Sequence, residues 1–169
     1  HGPGVIAFES SVLEAGITRY TYTPTVRGHY QIAIKQAGAK IRHGSFSLYV
    51  NHASMNPRRS VFTSAVEVDA GEQLNITAQA RDEFGNDHSG SSDNWGMQLW
   101  DGYRLIDETL TALGDGVYQY TDTPTLAGNY VAYVSTLGET LGTGPLEIRI
   151  WPGPTDPASC KTEGAGTSF

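Results

Sequence analysis

Five histidines, His1, His29, His43, His52 and His88, are the side chains best suited to hold a metal or move a proton near neutral pH. Their spacing argues against both uses. No two stand at the short intervals that bring paired imidazoles to one ion, and all fall in predicted turns or at strand ends. The chain has no Gly-x-Ser-x-Gly, no phosphate-cradling P-loop and no Gly-x-Gly-x-x-Gly leading from a strand into a helix. Cys160 is the single cysteine, so no disulfide can form within the chain. Its basic neighbour is Lys161 alone, which is not the electropositive setting of a reactive thiolate. No catalytic residue, cofactor or resident metal is expected.

Three other features could do chemistry. Asp82, Glu83, Asp87 and Asp93, with Asn86, offer oxygen ligands of the kind Ca²⁺ takes. Their spacing matches no EF-hand loop, and Asp and Asn in such a stretch ordinarily start and cap turns. Asn75-Ile76-Thr77 is an acceptor sequence for N-glycosylation. Trp100 follows an alternation in which Trp95, Met97 and Leu99 take the core face, so its indole is expected outward. An outward Trp near a strand edge suits a docked peptide or a neighbouring unit, unless Tyr103 or Arg104 folds over it from the Asp101-Gly102 turn.

Composition narrows the partners. The 169 residues carry a formal charge of −7, which argues against a phosphate backbone. No apolar run approaches the roughly 20 residues of a membrane helix, so membrane insertion is not expected of this segment. Hydrophobic residues make up 38%, enough for strands that bury one face each, and 20 Gly with 8 Pro suit a turn-rich chain. The lack of a cysteine pair leans weakly towards a reducing compartment.

The elements that must position these residues are strands. Leu74, Ile76, Ala78 and Ala80 alternate with Asn75, Thr77, Gln79 and Arg81, a dry face against a wet one. Residues 95–100 form a second strand. Tyr118 and Tyr120 share one side of a third. Tyr130, Ala132 and Val134 share a face of a fourth, with Val131 and Tyr133 opposite. Leu146, Ile148 and Ile150 point inward from a fifth, with Glu147 and Arg149 outward. Residues 103–112 fit an edge strand or a short helix, and context favours the strand. Tyr22, Tyr49 and Tyr133 are outward aromatics suited to packing between units.

The chain also repeats itself 100 positions apart. Gly16, Tyr20, Thr21, Thr23, Pro24, Thr25, Gly28, Tyr30, Gly38 and Gly44 each have the same residue at the position 100 further on. Fixed-period self-similarity marks an array, and this period is one β-sandwich long. Residues 1–50 are then expected to be the C-terminal half of one unit, 51–152 a complete unit, and 153–169 a linker and the start of the next. The linker Trp151-Pro152-Gly153-Pro154-Thr155-Asp156-Pro157 is proline-rich enough for a stiff joint.

The ordered blocks Ala70-Gly71-Glu72, Ala80-Arg81-Asp82-Glu83-Phe84-Gly85-Asn86, Gly114-Asp115-Gly116-Val117-Tyr118 and Tyr120 to Tyr130 resemble the filamin-type immunoglobulin repeat. Gly38 to Phe46 resembles that family's ending, and Pro157-Ala158-Ser159-Cys160 with Gly164-Ala165-Gly166 its opening. Asp-x-x-Gly-Asn also resembles the repeats of bacterial invasin-type adhesins, while the Thr-Pro-Thr and Gly-x-Tyr block favours filamin. The resemblance implies an all-β fold of tandem seven-stranded antiparallel sandwiches. It implies a non-catalytic scaffold, cytoskeletal or ciliary and intracellular, or alternatively an extracellular adhesion module at the cell surface. The partners implied are other proteins and neighbouring repeats. Partner peptides would add as a strand at an edge made by strands C and D, here 95–101 and 103–112, with Trp95, Met97, Gln98, Trp100, Arg104 and Ile106 in contact. Actin binding does not carry over, because the chain has no helical segment of the actin-binding kind.

Overall fold

The computed structural model describes residues 3, 4, 6, 8–90 and 94–156. His1, Asp93, Cys160 and the segment from 157 onward lie outside these residues. Among the described residues the secondary structure is entirely β. Two hairpins come first: β1 (Phe8–Glu14) with β2 (Ile17–Tyr22), and β3 (Gly28–Gln36) with β4 (Ala39–Val50). A sandwich follows. One sheet runs β10 (Thr111–Gly114), β11 (Val117–Asp122), β7 (Leu74–Gln79), β5 (Val61–Ser64). The other runs β6 (Glu67–Asp69), β14 (Leu146–Trp151), β12 (Gly128–Thr136), β8 (Trp95–Trp100), β9 (Leu105–Thr109), with β13 (Glu139–Thr140) paired to β12.

Seven strands are expected, and the sandwich has ten. The stretch before β7 forms β5 and β6, one in each sheet, and the two-residue β13 lies ahead of the last strand, which is β14 as expected. The stretch 103–112, expected as a single edge strand, divides at Leu110: β9 pairs with β8, and β10 pairs with β11 in the opposite sheet. Leu110 is buried at the changeover, and its amide donates to the Trp95 carbonyl at 2.9 Å. Leu110 turns inward between Thr109 and Thr111, where the segment crosses from one sheet to the other.

The core sits between the sheets. Leu74, Ile76 and Ala78 of β7 face Trp95, Met97 and Leu99 of β8, with Ala132, Val134, Ile148 and Ile150 beside them. The alternation of each strand sets this directly, and each such aliphatic side chain taken out of water stabilises the fold by about 1.5–3 kcal/mol. Trp95 stacks on Tyr118 with ring centroids 4.5 Å apart.

The hairpins before the sandwich reproduce its registers at an offset of 100. Ser11 pairs with Arg19 and Val12 with Thr18, as Thr111 pairs with Gln119 and Ala112 with Tyr118; a bulge follows at the same place in both. Gly28 pairs with Val50 and Tyr30 with Leu48, as Gly128 pairs with Ile150 and Tyr130 with Ile148. The two-residue turns match too: Ala37 and Gly38 have φ of 49° and 84°, Leu137 and Gly138 of 52° and 79°. Positive φ at both positions is the hairpin turn whose twist fits paired strands. In each copy a tyrosine hydroxyl pins the corner before the next strand. Tyr30 donates to the Val26 carbonyl at 2.7 Å and Tyr130 to the Leu126 carbonyl at 3.0 Å.

The difference lies in what covers the strands. In the sandwich, Ala132 and Ile148 are sealed beneath the opposing sheet, whereas their counterparts Ile32 and Leu48 are half-buried and Phe8, Tyr20 and Phe46 are exposed. Phe8, Tyr20, Ile32 and Phe46 border an open apolar cleft of about 430 Å³ between the two hairpins.

Candidate functional site: the joint between hairpins and sandwich

Among the described residues a dense polar network occupies the loop after β7. Asp82 is fully buried, which a carboxylate tolerates only when its oxygens are saturated with donors. Its Oδ1 accepts from the amides of Phe84 (2.9 Å) and Asn86 (2.8 Å). Its Oδ2 accepts from the Ala53 amide (2.9 Å) and the Asn86 side-chain Nδ2 (2.8 Å). Burial alone would raise the Asp82 pKa, but these hydrogen bonds, that of the Asn86 side chain foremost, hold it below the usual carboxylate value. The loop is a turn built around one carboxylate. With its oxygens filled by N–H donors, Asp82 offers none to a cation, and Asp87 pairs instead with Arg81 at 3.3 Å. Among the described residues no three His, Cys, Asp or Glu groups gather as a metal set.

Asn86, oriented by Asp82, reaches across to the earlier hairpins. Its Nδ2 donates to the Thr25 carbonyl at 2.8 Å, and its Oδ1 accepts from the Arg27 amide at 2.9 Å. One carboxamide thus bridges the donor and the acceptor of a single backbone corner, at Thr23-Pro24-Thr25. Arg27 reinforces it: the guanidinium donates to the Asp87 carbonyl at 2.9 Å and to the Tyr49 hydroxyl at 3.2 Å. The Tyr49 bond raises the Arg27 pKa further, against the opposing effect of burial. Arg27, Tyr49, Arg81, Asn86 and Asp87 line a shallow polar cleft at this contact.

A second contact ties the connecting segment to the same end of the sandwich. The rings of His52 and His88 lie 4.0 Å apart. His52 Nε2 is 2.9 Å from the Ser89 hydroxyl, and its Nδ1 is 2.9 Å from the Ala53 carbonyl. The histidine spacing could not reveal this pair, which is 36 residues apart and meets only through the fold.

The expected partner edge is rearranged. β8 is an interior strand with β12 on one side and β9 on the other, so it presents no free edge. The edge strand on that side of the sheet is β9, with β6 at the other end. Trp95 and Met97 are 2% and 1% exposed and belong to the core, beyond the reach of a partner at the surface. Trp100 does point outward, 40% exposed, directly across from Leu105 of β9 and Val131 of β12. Tyr103, at 95% exposed, does not fold over it. Gln98 donates to Asp107 on β9 at 3.0 Å, Arg104 pairs with Asp101 at 3.0 Å, and Ile106 packs partly on the core. Asn75 lies on the outer face of β7, half-buried, where its Oδ1 accepts from the Thr121 hydroxyl at 2.8 Å.

No family model and no curated protein matches the chain. Solved structures do. The Lin-41 filamin domain is 18% identical, with a TM-score of 0.50 over 58% of this chain and 97% of its own. FdeC, an adhesin of Escherichia coli, is 21% identical, with a TM-score of 0.53 over 81% of this chain and 44% of its own. This chain spans less than half of the FdeC chain it matches. These likenesses define the fold as an immunoglobulin-like β-sandwich.

Proposed function

We propose that the chain is a non-catalytic structural segment of a multi-unit protein, in which immunoglobulin-like sandwiches are set in fixed relation by a hydrogen-bonded joint. On this reading 1–50 is the C-terminal half of one unit, 51–152 a complete unit, and 153–169 a linker and the start of the next. The observation that carries it is Asn86, a single side chain held by its own loop and bonded to both polar groups of the preceding corner. Such a joint spaces the units and displays the outer strand β9, with Trp100 beside it, to partner proteins that add a strand.

We assign the array to an intracellular scaffold, cytoskeletal or ciliary, on the strength of the filamin-like Thr-Pro-Thr and Gly-x-Tyr blocks present twice. One observation favours adhesion at the cell surface as the second reading. The Asp82-x-x-Gly85-Asn86 motif, which resembles invasin-type repeats, is the element that builds the joint. Peptide mass spectrometry of the native protein separates the two. A glycan on Asn75 puts the chain in the secretory pathway and overturns the intracellular assignment. Unmodified Asn75 with a free Cys160 thiol is the scaffold's expected result. Small-angle scattering tests the joint itself: Asn86→Ala should broaden the distribution of interatomic distances, and an unchanged distribution would sink the reading.

A further inference from the structure

The acceptor half of the joint is built twice in this chain, and the second copy is open. Thr123-Pro124-Thr125 repeats Thr23-Pro24-Thr25, and the strands that leave both corners pair in the same register. Both corners are pinned from within by a tyrosine hydroxyl four residues on. The second is fixed further by the Gly71 amide, which donates to the Pro124 carbonyl at 2.8 Å. Thr125, Leu126 and Ala127 are all exposed.

We propose that Thr125–Ala127 is a docking corner for the Asp-x-x-Gly-Asn loop of a further unit of this kind. The inference rests on the reading of the chain as part of an array. Its occupant is identified by what sits on the first corner. Asn86 bonds there to main-chain groups alone, the Thr25 carbonyl and the Arg27 amide. The Thr125 carbonyl and Ala127 amide offer the same pair, so the change from Arg27 to Ala127 leaves the bidentate site intact. Of the bonds across the joint it removes the guanidinium bond to the Asp87 carbonyl, and within the hairpins the bond to the Tyr49 hydroxyl. The two corners therefore take the same ligand, and the second holds it by one bond fewer.

The test is amide hydrogen exchange read by NMR. In the unaltered chain the Arg27 amide should be protected, and Asn86→Ala should lower that protection about tenfold, the worth of one hydrogen bond. The chain is then lengthened so that Ile150 is followed by a second copy of 51–156, in the relation that Val50 bears to Asn51. The Ala127 amide, which lies just outside the β12 ladder beginning at Gly128, should gain about tenfold protection. It should lose it when the second copy carries Asn86→Ala. Arg27→Ala in the unaltered chain provides the check that needs no added copy, because it gives the first corner the residue of the second. The amide at position 27 must stay protected. Loss of that protection overturns the inference, as does an Ala127 amide that exchanges freely beside a folded second copy. An Arg27 amide that is unprotected in the unaltered chain overturns the joint reading instead.

Discussion

Asp82 grips Asn86 at three points. Its carboxylate accepts from both the main-chain amide and the side-chain Nδ2 of Asn86 at 2.8 Å, and its own amide donates to the Asn86 carbonyl at 3.0 Å. The residue that reaches the preceding corner is thereby oriented before it arrives there.

Separating the two residues by mutation should separate their roles. Asn86→Ala removes the bridge to Thr25 and Arg27 but leaves Asp82 bonded to three main-chain amides, so unfolding stability should fall by only about 1 kcal/mol. Asp82→Ala strips buried amides of their acceptor and should cost about 3 kcal/mol. Urea titrations of both variants check the order, and equal losses would refute it.

Acidity should loosen the same loop. The folded-state pKa of Asp82 lies below its ordinary value: burial pulls it up, and the bonds from Asn86, Ala53 and Phe84 more than reverse this. A carboxylate so shifted contributes stability that is complete above its unfolded pKa, about 4, and is lost as pH falls through the folded one. The denaturation midpoint should therefore drop on acidification below that value, and Asp82→Asn should give a shallower drop. At the alkaline end Tyr120 works in the opposite sense. Burial, then Asp122 and Glu108, push it up to about 12. Its contribution is present below the unfolded value near 10 and is lost as pH rises through the folded one. Ultraviolet titration of the tyrosinate band, compared with Tyr120→Phe, should show Tyr120 among the last to ionise.

The two members of the repeat should respond unequally to one substitution. Gly16 and Gly116 both adopt positive φ, 86° and 71°. A Cβ at Gly16 meets open space, so Gly16→Ala should cost about 1 kcal/mol of backbone strain. A Cβ at Gly116 would overlap the His88 carbonyl oxygen, so Gly116→Ala adds a backbone collision and should cost about 3 kcal/mol or more. Calorimetry of the pair decides, and similar losses would refute the close approach.

Neighbouring tryptophans on β8 should behave as opposites. Trp95→Ala empties the core beside Tyr118 and should cost about 3–5 kcal/mol. Trp100→Ala trims an outward side chain, should stay within about 1 kcal/mol, and should weaken capture of a partner strand at β9. Unfolding by Trp100→Ala would show the indole to be structural.

Alternation made the inner faces of β7, β8, β12 and β14 legible in the sequence, because one side of each strand is sealed and the pattern has no freedom to drift. The repeat exposed the paired hairpins for the same reason: turn glycines and the Tyr30 and Tyr130 anchors are fixed by backbone geometry. The edge was harder. The apolar residues of 105–114, Leu105, Ile106, Leu110, Ala112 and Leu113, mark no single alternating face, and only the opposing sheets decide where such a segment crosses between them. The joint was half visible. Asp82 and Asn86 stand out as a turn motif, but their target is main chain at Thr25 and Arg27, which leaves no signature in side-chain types.

The pairing of β6 with β14 has a mechanical consequence. These are near the first and last strands of the sandwich, and they run parallel: Glu67 beside Arg149, Val68 beside Ile150, Asp69 beside Trp151. Tension applied through the two ends of the unit pulls them in opposite directions along their length. The rungs between them are then strained together, in shear, where an antiparallel terminal pair would open one rung at a time. A chain of such sandwiches under load should yield abruptly, one whole unit at a time, with little gradual stretch beforehand.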